Sequence, residues 1–247
     1  MPFDLHRRSR DLLTRLSALL PSSCALCGRG GDDVLCRGCH AHYFDRRQQR
    51  CRRCAIAVGE TAGAEVCGDC LKSAPAFDAT IVAVDYAAPV DQLVLALKFG
   101  QRLALAPLCA RLLDDAIRRQ PGPQELPDVL TAVPLGPQRL AQRGFNQALE
   151  IARPLSRRLG VELAPYLSVR LRDTQAQAQL PPQQRQQNLR HAFMLESTAM
   201  ERIAGRHIGV VDDVMTTGST LGELAHTLKR FGATRVTNFV FARTPPH

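Results

Sequence analysis

The chain has 247 residues, of which 45% are hydrophobic, and its 32 Lys and Arg outweigh 23 acids to give a formal net charge of +9. This composition is that of soluble globular proteins, and the length allows two domains. A membrane-spanning protein is excluded because no apolar run is long enough, and a signal peptide because Asp4, Arg7 and Arg8 interrupt the first segment. We therefore expect a cytoplasmic protein, with peripheral attachment to the inner face of the membrane left open.

The first segment is predicted to form an amphipathic helix, because six leucines recur on roughly one helical face with arginines elsewhere. These leucines are Leu5, Leu12, Leu13, Leu16, Leu19 and Leu20. The helix could pack on its own domain, or it could dock on a membrane surface or a partner, and the sequence leaves both open.

Eight of the nine cysteines stand in four CxxC pairs before residue 71. In a reducing compartment such pairs indicate metal binding rather than disulfides, and two Zn²⁺ ions with four thiolates each would use all eight. Sequential pairing gives Cys24, Cys27, Cys36 and Cys39 as one ligand set and Cys51, Cys54, Cys67 and Cys70 as the other. Interleaved pairing stays open, and His40 or His42 could replace a ligand. Cys109 lies in a helical pattern and is expected in the core.

Basic residues are concentrated in two regions. Five arginines lie between positions 46 and 53, where a solvated face and contact with nucleic acid are both open. Residues 137–190 carry nine arginines and three acids, an excess that favours an anionic ligand. Residues 1–74 carry twelve Lys or Arg against eight acids and therefore have a positive net charge. Two zinc sites would cancel this charge, because four thiolates around one Zn²⁺ leave each site with a net charge of about −2.

After about residue 73 the cysteines stop and strand-type patterns begin, so we predict a zinc-ribbon domain at 1–73 and a second domain at 74–247. Strands are predicted at 81–86, 129–133, 166–169, 191–195 and 234–241, and helices at 89–99, at 107–119 and up to residue 159.

Two stretches of the second domain suit anions. The strand that ends at Val133 breaks into a Pro-rich turn and a helix, which carry Pro134, Leu135, Arg139, Arg143 and Asn146. These would suit a second anion site, although a plain connection with surface arginines has the same pattern. Residues 170–188 form a long glutamine-rich segment, which is either disordered or a lid that closes on a pyrophosphate. The lid's cations would be Arg170, Arg172 and Arg185.

The most specific stretch is 208–220. Its apolar start predicts a buried parallel strand, and Asp212 and Asp213 would project from the carboxyl end, where open parallel sheets bind ligands. Free backbone N–H groups and hydroxyls would then cradle a phosphate in the loop and helix start, at Thr216, Thr217, Gly218, Ser219 and Thr220. Two adjacent carboxylates there suggest a diol or Mg²⁺ as partner. An ordinary strand-to-helix turn with a Thr or Ser cap is the alternative.

This stretch resembles the phosphoribosyl diphosphate (PRPP) motif of type I phosphoribosyltransferases, in which the acids hold the ribose hydroxyls and the loop holds the 5′-phosphate. Over nearly its full length the chain resembles the ComF competence-protein family. Besides the cysteine pairs and the motif, the positions that carry this resemblance are Lys98, Phe99, Val133, Arg139, Arg143, Gly144, Phe145, Asn146, Gln147, Arg170, Arg172, Thr174, Gln177, Leu180, Arg185, Asn188 and Phe193.

The resemblance implies an α/β fold, with a type I phosphoribosyltransferase-like, mostly parallel sheet flanked by helices and a small N-terminal zinc-ribbon domain. It implies PRPP with Mg²⁺ as ligand, residues 133–135 as the pyrophosphate loop and 170–188 as the flexible loop. Catalytic roles would fall to Asp212 and Asp213. The family is tied to DNA uptake, so single-stranded DNA or a competence helicase is an implied partner.

The acceptor of the phosphoribosyl group is not indicated. Thr216 stands where 6-oxopurine salvage enzymes usually carry an aspartate that acts on the base. A transferase and a non-catalytic module that senses PRPP or a nucleotide are therefore both compatible with the sequence, because fold resemblance alone does not decide between them. The sequence does not indicate the oligomeric state.

Overall fold

A computed structural model describes residues 22–45, 48–59, 65–122, 125–171, 192–196 and 199–246. The leucine-rich helix predicted at the start of the chain and most of the glutamine-rich segment lie outside these residues. The chain divides into two compact units, Met1–Arg46 and Arg47–His247. This division comes earlier in the chain than the domain boundary expected after residue 73, which stays a prediction.

The first unit is small. A two-stranded antiparallel ribbon joins β1 (Ser22–Ser23) to β2 (Gly30–Gly31), and the helix α1 (Arg37–Tyr43) follows. Within residues 22–45 the buried side chains are few, chiefly Leu35, Phe44 and two cysteines. A ribbon that buries so little apolar surface among these residues gains from a further link such as a shared metal ion.

The second unit holds the remaining elements, which alternate between strand and helix over most of their length. In chain order they are α2 (Gly68–Lys72), β3 (Ala79–Asp85), α3 (Asp91–Lys98), α4 (Ala106–Arg118), β4 (Val129–Ala132), α5 (Pro137–Arg143), α6 (Gln147–Leu159), β5 (Glu162–Leu163), β6 (Ser168–Arg170), β7 (Phe193–Leu195), α7 (Met200–Ile203), β8 (His207–Met215), α8 (Ser219–Arg230) and β9 (Arg235–Arg243).

Five of these strands form one sheet in the order β3-β9-β8-β4-β5, and every neighbouring pair is parallel. β4 is buried at all four residues and β9 at eight of nine, as expected for strands covered on both faces. The predicted α/β fold is confirmed. Since all five strands run the same way, their carboxyl ends meet at one edge, with β8 in the middle.

Helices flank this sheet. α4 and α6 pack on each other, α4 also on β3 and β9, and α6 on β4 and β8. α8 buries Leu221, Leu224 and Leu228 in a core that also contains Val210 and Val240 of the central strands. None of the helices in the described ranges has the length and apolar character needed to cross a membrane.

The strands and helices predicted for the second domain are confirmed to within a few residues. Two short elements, β5 with two residues and α7 with four, were not predicted from the sequence, and α5 was not separated from α6. The break between them is Gly144, in the left-handed region at φ 79° and therefore suited to a residue without a side chain.

Candidate functional site

A cavity at the carboxyl end of β8 is lined by Asp212, Val214 and residues 215–221. Gly218 caps α8 at φ 82°, and a Cβ atom there would lie 2.5 Å from Cε of Met215. The left-handed backbone at this position favours glycine, and any other residue would also have to displace the end of the flexible Met215 side chain. Thr217 Oγ1 lies 2.8 Å from Ser219 Oγ, so the hydroxyls are gathered at the helix start. The first amides of α8 have no acceptor within the helix and complete a cradle suited to an anion.

The two acids of the motif lie in different surroundings. Asp212 is half-buried and lines the cavity, whereas Asp213 is buried and does not. Desolvation raises the pKa of Asp212 well above its ordinary value, and the negative charge of Asp213 raises it further. Adjacent residues of a strand point to opposite faces, which explains why the pair is divided.

Asp213 is the centre of a polar network. Its Oδ2 lies 2.6 Å from Nζ of Lys98, and its Oδ1 accepts a hydrogen bond of 3.2 Å from Nε2 of Gln147. Gln147 accepts in turn from Arg143. Lys98 and Gln147 were not among the predicted site residues, although both stand at positions that carry the family resemblance.

Four of the five residues predicted after Val133 lie on α5 or in the loop before it. Pro134, Leu135 and Arg139 are partly exposed there, and Arg143 ends the helix. The guanidinium of Arg143 lies 5.4 Å from the centre of the Phe99 ring, which is 72% exposed. Burial lowers the pKa of Arg143, and the positive charge of Arg139 also lowers it, while Asp213 opposes the shift. Cations therefore gather beside the carboxyl end of β4.

Asn146 has a structural task. Its Oδ1 accepts from the amides of Ala148 and Leu149, at 3.0 and 3.4 Å, and caps α6. Its Nδ2 donates to the carbonyl of Val133 at 3.0 Å, which ties the helix start to the end of β4.

Of the three arginines assigned to the predicted lid, Arg170 lies within the described residues. Arg170 ends β6, is 8% exposed and stacks on Phe193 at 5.5 Å. Arg172 and Arg185 lie outside the described residues, so the lid stays a prediction.

A further arginine at this edge, Arg243, was missed. It ends β9, and its Nε donates to the carbonyl of Cys54 at 3.0 Å. Its Nη1 donates to the carbonyls of Met215 at 3.2 Å and of Thr216. The residue thus joins the second cysteine set to the β8–α8 loop, which comprises residues 216–218. No local pattern in the sequence predicts this contact, because Arg243 and Cys54 are 189 positions apart.

The cysteines form two clusters, in each of which the four sulfurs lie within 4.8 Å of one another. Cluster 1 contains Cys24, Cys27, Cys36 and Cys39, and cluster 2 contains Cys51, Cys54, Cys67 and Cys70. The sequential pairing is confirmed, and the interleaved one is wrong. Sulfur–sulfur distances of 3.7 Å for Cys27–Cys36 and 3.6 Å for Cys54–Cys67 match the edge of about 3.8 Å in a tetrahedron with Zn–S bonds of 2.3 Å.

Neither His40 nor His42 belongs to a cluster within the described residues, and His40 Nδ1 lies 3.3 Å from Asp45 Oδ2. Cys109 is buried on α4, as predicted.

The thiols of cluster 1 differ widely in pKa. Burial acts to raise the pKa of Cys24, but the amides of Cys36, Cys27 and Leu26 outweigh it and lower the pKa to about 6. Burial raises the pKa of Cys39 to about 12, and the neighbouring thiols add to the rise. A divalent cation removes this difference, because it stabilises all four sulfurs as thiolates.

Cluster 2 shows the same contrast. Burial opposes ionisation of Cys51, but the amides of Cys54, Cys67 and Arg53 lower its pKa to about 7. Burial raises the pKa of Cys54 to about 11 and also raises that of Cys70. Both clusters therefore have the ligands, spacing and charge requirement of structural zinc sites.

Comparison with known proteins adds two domain families. A model described as "Phosphoribosyl transferase domain" matches residues 146–246, and one described as "Double zinc ribbon domain" matches residues 15–71. The chain is 36% identical over 213 residues to "DNA utilization protein YhgH" of Salmonella typhi, a match that covers 85% of this chain and 90% of that protein. The chain belongs to the ComF/YhgH family. It is also 32% identical over 211 residues to "Competence protein F" of Haemophilus influenzae, with 85% and 90% covered.

Among solved structures, the allosteric regulatory enzyme of purine biosynthesis is 18% identical with a TM-score of 0.35, and the match covers 56% of this chain and 25% of that one. The purine phosphoribosyltransferase from Pyrococcus horikoshii Ot3 is 18% identical with a TM-score of 0.28, and 57% and 71% are covered. The fold assignment of this ComF/YhgH member rests instead on the family models, the parallel sheet and the cysteine clusters.

Proposed function

We propose that the chain binds PRPP in the cavity at the end of β8. The observation that carries this proposal is that one half-buried carboxylate, that of Asp212, and the hydroxyls and amides of residues 216–220 line the same cavity. A phosphate held at the start of α8 would place an attached ribose toward Asp212, whose oxygens suit ribose hydroxyls. Asp213 would act behind it, since its carboxylate is already bonded to Lys98 and Gln147.

The diphosphate of PRPP needs cations. β4 and β8 are neighbours, and the amide of Val133 donates to the carbonyl of Val211 at 2.9 Å, so the arginines after β4 lie beside the acids that end β8. Arg139 and Arg143 would bind diphosphate oxygens there. Mg²⁺, held by a carboxylate and the diphosphate, would neutralise charge on the leaving group.

Transfer is the reaction that this geometry favours. A nucleophile would attack C1 of the ribose as the bond to pyrophosphate breaks, and the cationic groups would stabilise the departing charge. Asp212 is the one carboxylic acid among the described residues that line the cavity, and its raised pKa makes it a better proton acceptor than an ordinary aspartate. Thr216 stands where 6-oxopurine salvage enzymes usually carry the aspartate that acts on the base. This favours a second candidate function, in which the site senses PRPP or a nucleotide without turnover.

The relatives named above are linked by those names to DNA utilization and competence. By family membership we extend the link to this chain, with single-stranded DNA or a DNA-handling helicase as the partner of the zinc-ribbon region. Its basic residues supply an electrostatic reason for such contact.

Calorimetry with PRPP and Mg²⁺ tests the ligand. Asp212→Asn should weaken binding at least about tenfold, since a charge-assisted hydrogen bond contributes roughly 1.5 to 3 kcal/mol. Thr217→Val should weaken binding of any 5′-phosphorylated ribose, with or without the diphosphate. Asp128→Asn is the control, because Asp128 binds the amide of His207 at the opposite end of β8. The absence of wild-type binding would refute the proposal, and pyrophosphate release on addition of candidate bases separates transfer from sensing.

A further inference from the structure

Arg243 makes an unusual set of contacts for a residue at the end of a strand. It is 6% exposed, and its guanidinium donates hydrogen bonds to four backbone carbonyls of the described residues. The acceptors are Cys54 at 3.0 Å, Met215 at 3.2 Å, Thr244 at 2.8 Å and Thr216. A guanidinium presents its donors in a rigid planar fork, so the positions of these carbonyls depend on one another.

We propose that Arg243 is a positioning residue that couples zinc binding at cluster 2 to the conformation of the β8–α8 loop. The proposal deepens the proposed function, since that loop is the one assigned to the ligand phosphate. It concerns how the loop is held, and it can therefore be tested without the ligand.

The carbonyl of Cys54 is placed by a strained turn. The turn is closed by a hydrogen bond of 2.8 Å from the amide of Ala55 to the carbonyl of Cys51, and Ala55 has φ 56°. A left-handed conformation at a residue other than glycine is unfavourable and persists only where the surroundings impose it. Cys51 and Cys54 both belong to cluster 2, so a metal ion shared by them would fix this turn. Without the ion, the two sulfurs lose their common ligand, and the strain at Ala55 favours a different turn.

The loop depends on the same arginine at its other end. Met215 and Thr216 lie three and two residues before Gly218, the cap of α8. If Arg243 moves with the cysteine turn, the carbonyls of Met215 and Thr216 lose a charged donor in a buried place, and the loop must rearrange to satisfy them. The side chains of Ala55 and Met215 also belong to one buried core, so packing follows the same route.

Coupling of this kind works in both directions. If zinc at cluster 2 favours the ligand-binding form of the loop, a ligand in the loop must tighten zinc by the same factor. Couplings between distinct sites typically amount to about 5- to 150-fold. The chain would then bind PRPP well only when cluster 2 is loaded.

Amide exchange tests the link without a ligand. The amides of Gly222 and Thr244 bond to the carbonyls of Gly218 and Met215 and so report on the loop. Cys67→Ser should speed their exchange at least about fivefold more than it speeds exchange of the Val133 amide, which bonds to the carbonyl of Val211 in the sheet and reports any general loss of stability. The matched control is Cys36→Ser, because both cysteines precede a short helix as its N-cap and both belong to clusters of the same type. The control should leave the two amides unchanged.

A double-mutant cycle then tests whether Arg243 carries the effect. Arg243→Lys keeps the charge but lacks the fork, so the two amides should exchange faster while zinc content stays at two. Adding Cys67→Ser to Arg243→Lys should change exchange of the two amides, measured relative to the Val133 amide, by less than about twofold. The proposal is overturned if Cys67→Ser has its full effect in both backgrounds or has none in the wild type.

Zinc affinity supplies a second test that needs no cysteine variant. In equilibrium competition with a chelator, Arg243→Lys should bind the cluster 2 ion at least about fivefold more weakly than the wild type, and equal affinities would overturn the coupling. PRPP with Mg²⁺ should tighten zinc binding in the wild type but not in Arg243→Lys. If calorimetry detects no PRPP binding, the proposed function fails, while the two ligand-free tests still decide the coupling.

Discussion

The two cysteine clusters have the same ligands and similar spacing, but they lie in different surroundings. Cluster 1 belongs to the unit Met1–Arg46, where the buried apolar side chains of residues 22–45 are chiefly Leu35 and Phe44 besides the cysteines. Cluster 2 belongs to the unit with the parallel sheet and is bonded to it at several points. Nη1 of Arg50 lies 2.8 Å from Oδ1 of Asp85, and the carbonyl of Arg52 accepts from the amide of Thr80 at 3.0 Å.

This difference indicates that the four-cysteine cluster has a different structural role in each unit. Cluster 1 links a ribbon whose described residues, 22–45, bury little apolar surface besides the cysteines. Cluster 2 extends the sheet domain along β3 and reaches the ligand loop through Arg243. The double zinc ribbon is thus a single family domain by sequence, whereas its second half is structurally part of the phosphoribosyltransferase-like unit.

The largest expected effect is on the free energy of unfolding of the sheet unit, which loss of cluster 2 should lower and loss of cluster 1 should not. Cys67→Ser should lower the free energy of unfolding of the sheet unit by more than about 4 kcal/mol, since loss of a structural metal is among the most destabilising changes. Cys36→Ser should leave that transition in place and affect only the first unit. Thermal unfolding followed by circular dichroism checks this, with elemental analysis showing one zinc in each variant and two in the wild type. Equal destabilisation by both variants would contradict the division.

A smaller effect is expected from the acid behind the cavity. Asp213→Asn removes the charged partner of Lys98, and the free energy of unfolding of the sheet unit should fall by about 1.5 to 3 kcal/mol. The transition that shifts should be the one that Cys67→Ser lowers, because the site and cluster 2 lie in one unit. Denaturant titration measures it, and a shift confined to the first unit would count against the comparison.

Asp212→Asn should act in the opposite direction. The folded state raises the pKa of Asp212 above its ordinary value of 3.8, so the folded protein binds this proton more tightly than the unfolded chain does. Its contribution to stability is therefore lost as pH rises from about 3.8 through the raised pKa. At pH 7.5 the Asn variant should unfold at a higher temperature than the wild type, and the gain should vanish below pH 3.8. A lower melting temperature at pH 7.5 would show that the carboxylate stabilises the fold.

The smallest effect concerns DNA. Arg52 and Arg53 lie beside cluster 2 in the basic stretch predicted to contact nucleic acid, and their joint replacement by Ala should reduce the salt dependence of DNA binding by about one to two units of slope. Replacing Arg29 and Arg37 of the first unit is the matched control and should have less effect. Filter binding of a single-stranded oligonucleotide over a salt series measures both. If the control pair has the larger effect, the basic stretch is not the contact.

Many strands, helices and candidate site residues could be predicted because the sequence patterns that indicate them each lie within a short stretch of the chain. The apolar run before Asp212, the small residues after it and the helical spacing of Leu221, Leu224 and Leu228 lie within one short stretch. The four CxxC pairs are equally local signals, but their spacing left sequential and interleaved pairing open, and the structure decides for the sequential one. The division of Asp212 from Asp213 was also available in principle, since neighbouring strand residues face opposite sides of a sheet.

The contact between Arg243 and Cys54 could not be predicted, because 189 positions separate the two residues. Their meeting depends on the order of strands in the sheet, which places β9 beside β3 and next to the cysteine turn. The contact of Gln147 with Asp213, across 66 positions, depends on the same order. Long-range side-chain contacts of this kind emerge only when the topology is known.

The ion pair between Lys98 and Asp213 has a consequence for the sequence of binding events. Because Lys98 already balances one of the two acids, the ligand-free site offers a divalent cation a single half-buried carboxylate. Mg²⁺ keeps most of its water at so sparse a site and binds firmly only when phosphate oxygens complete its coordination. Loading should therefore be ordered, with the metal arriving as a complex with the diphosphate rather than waiting in the empty protein.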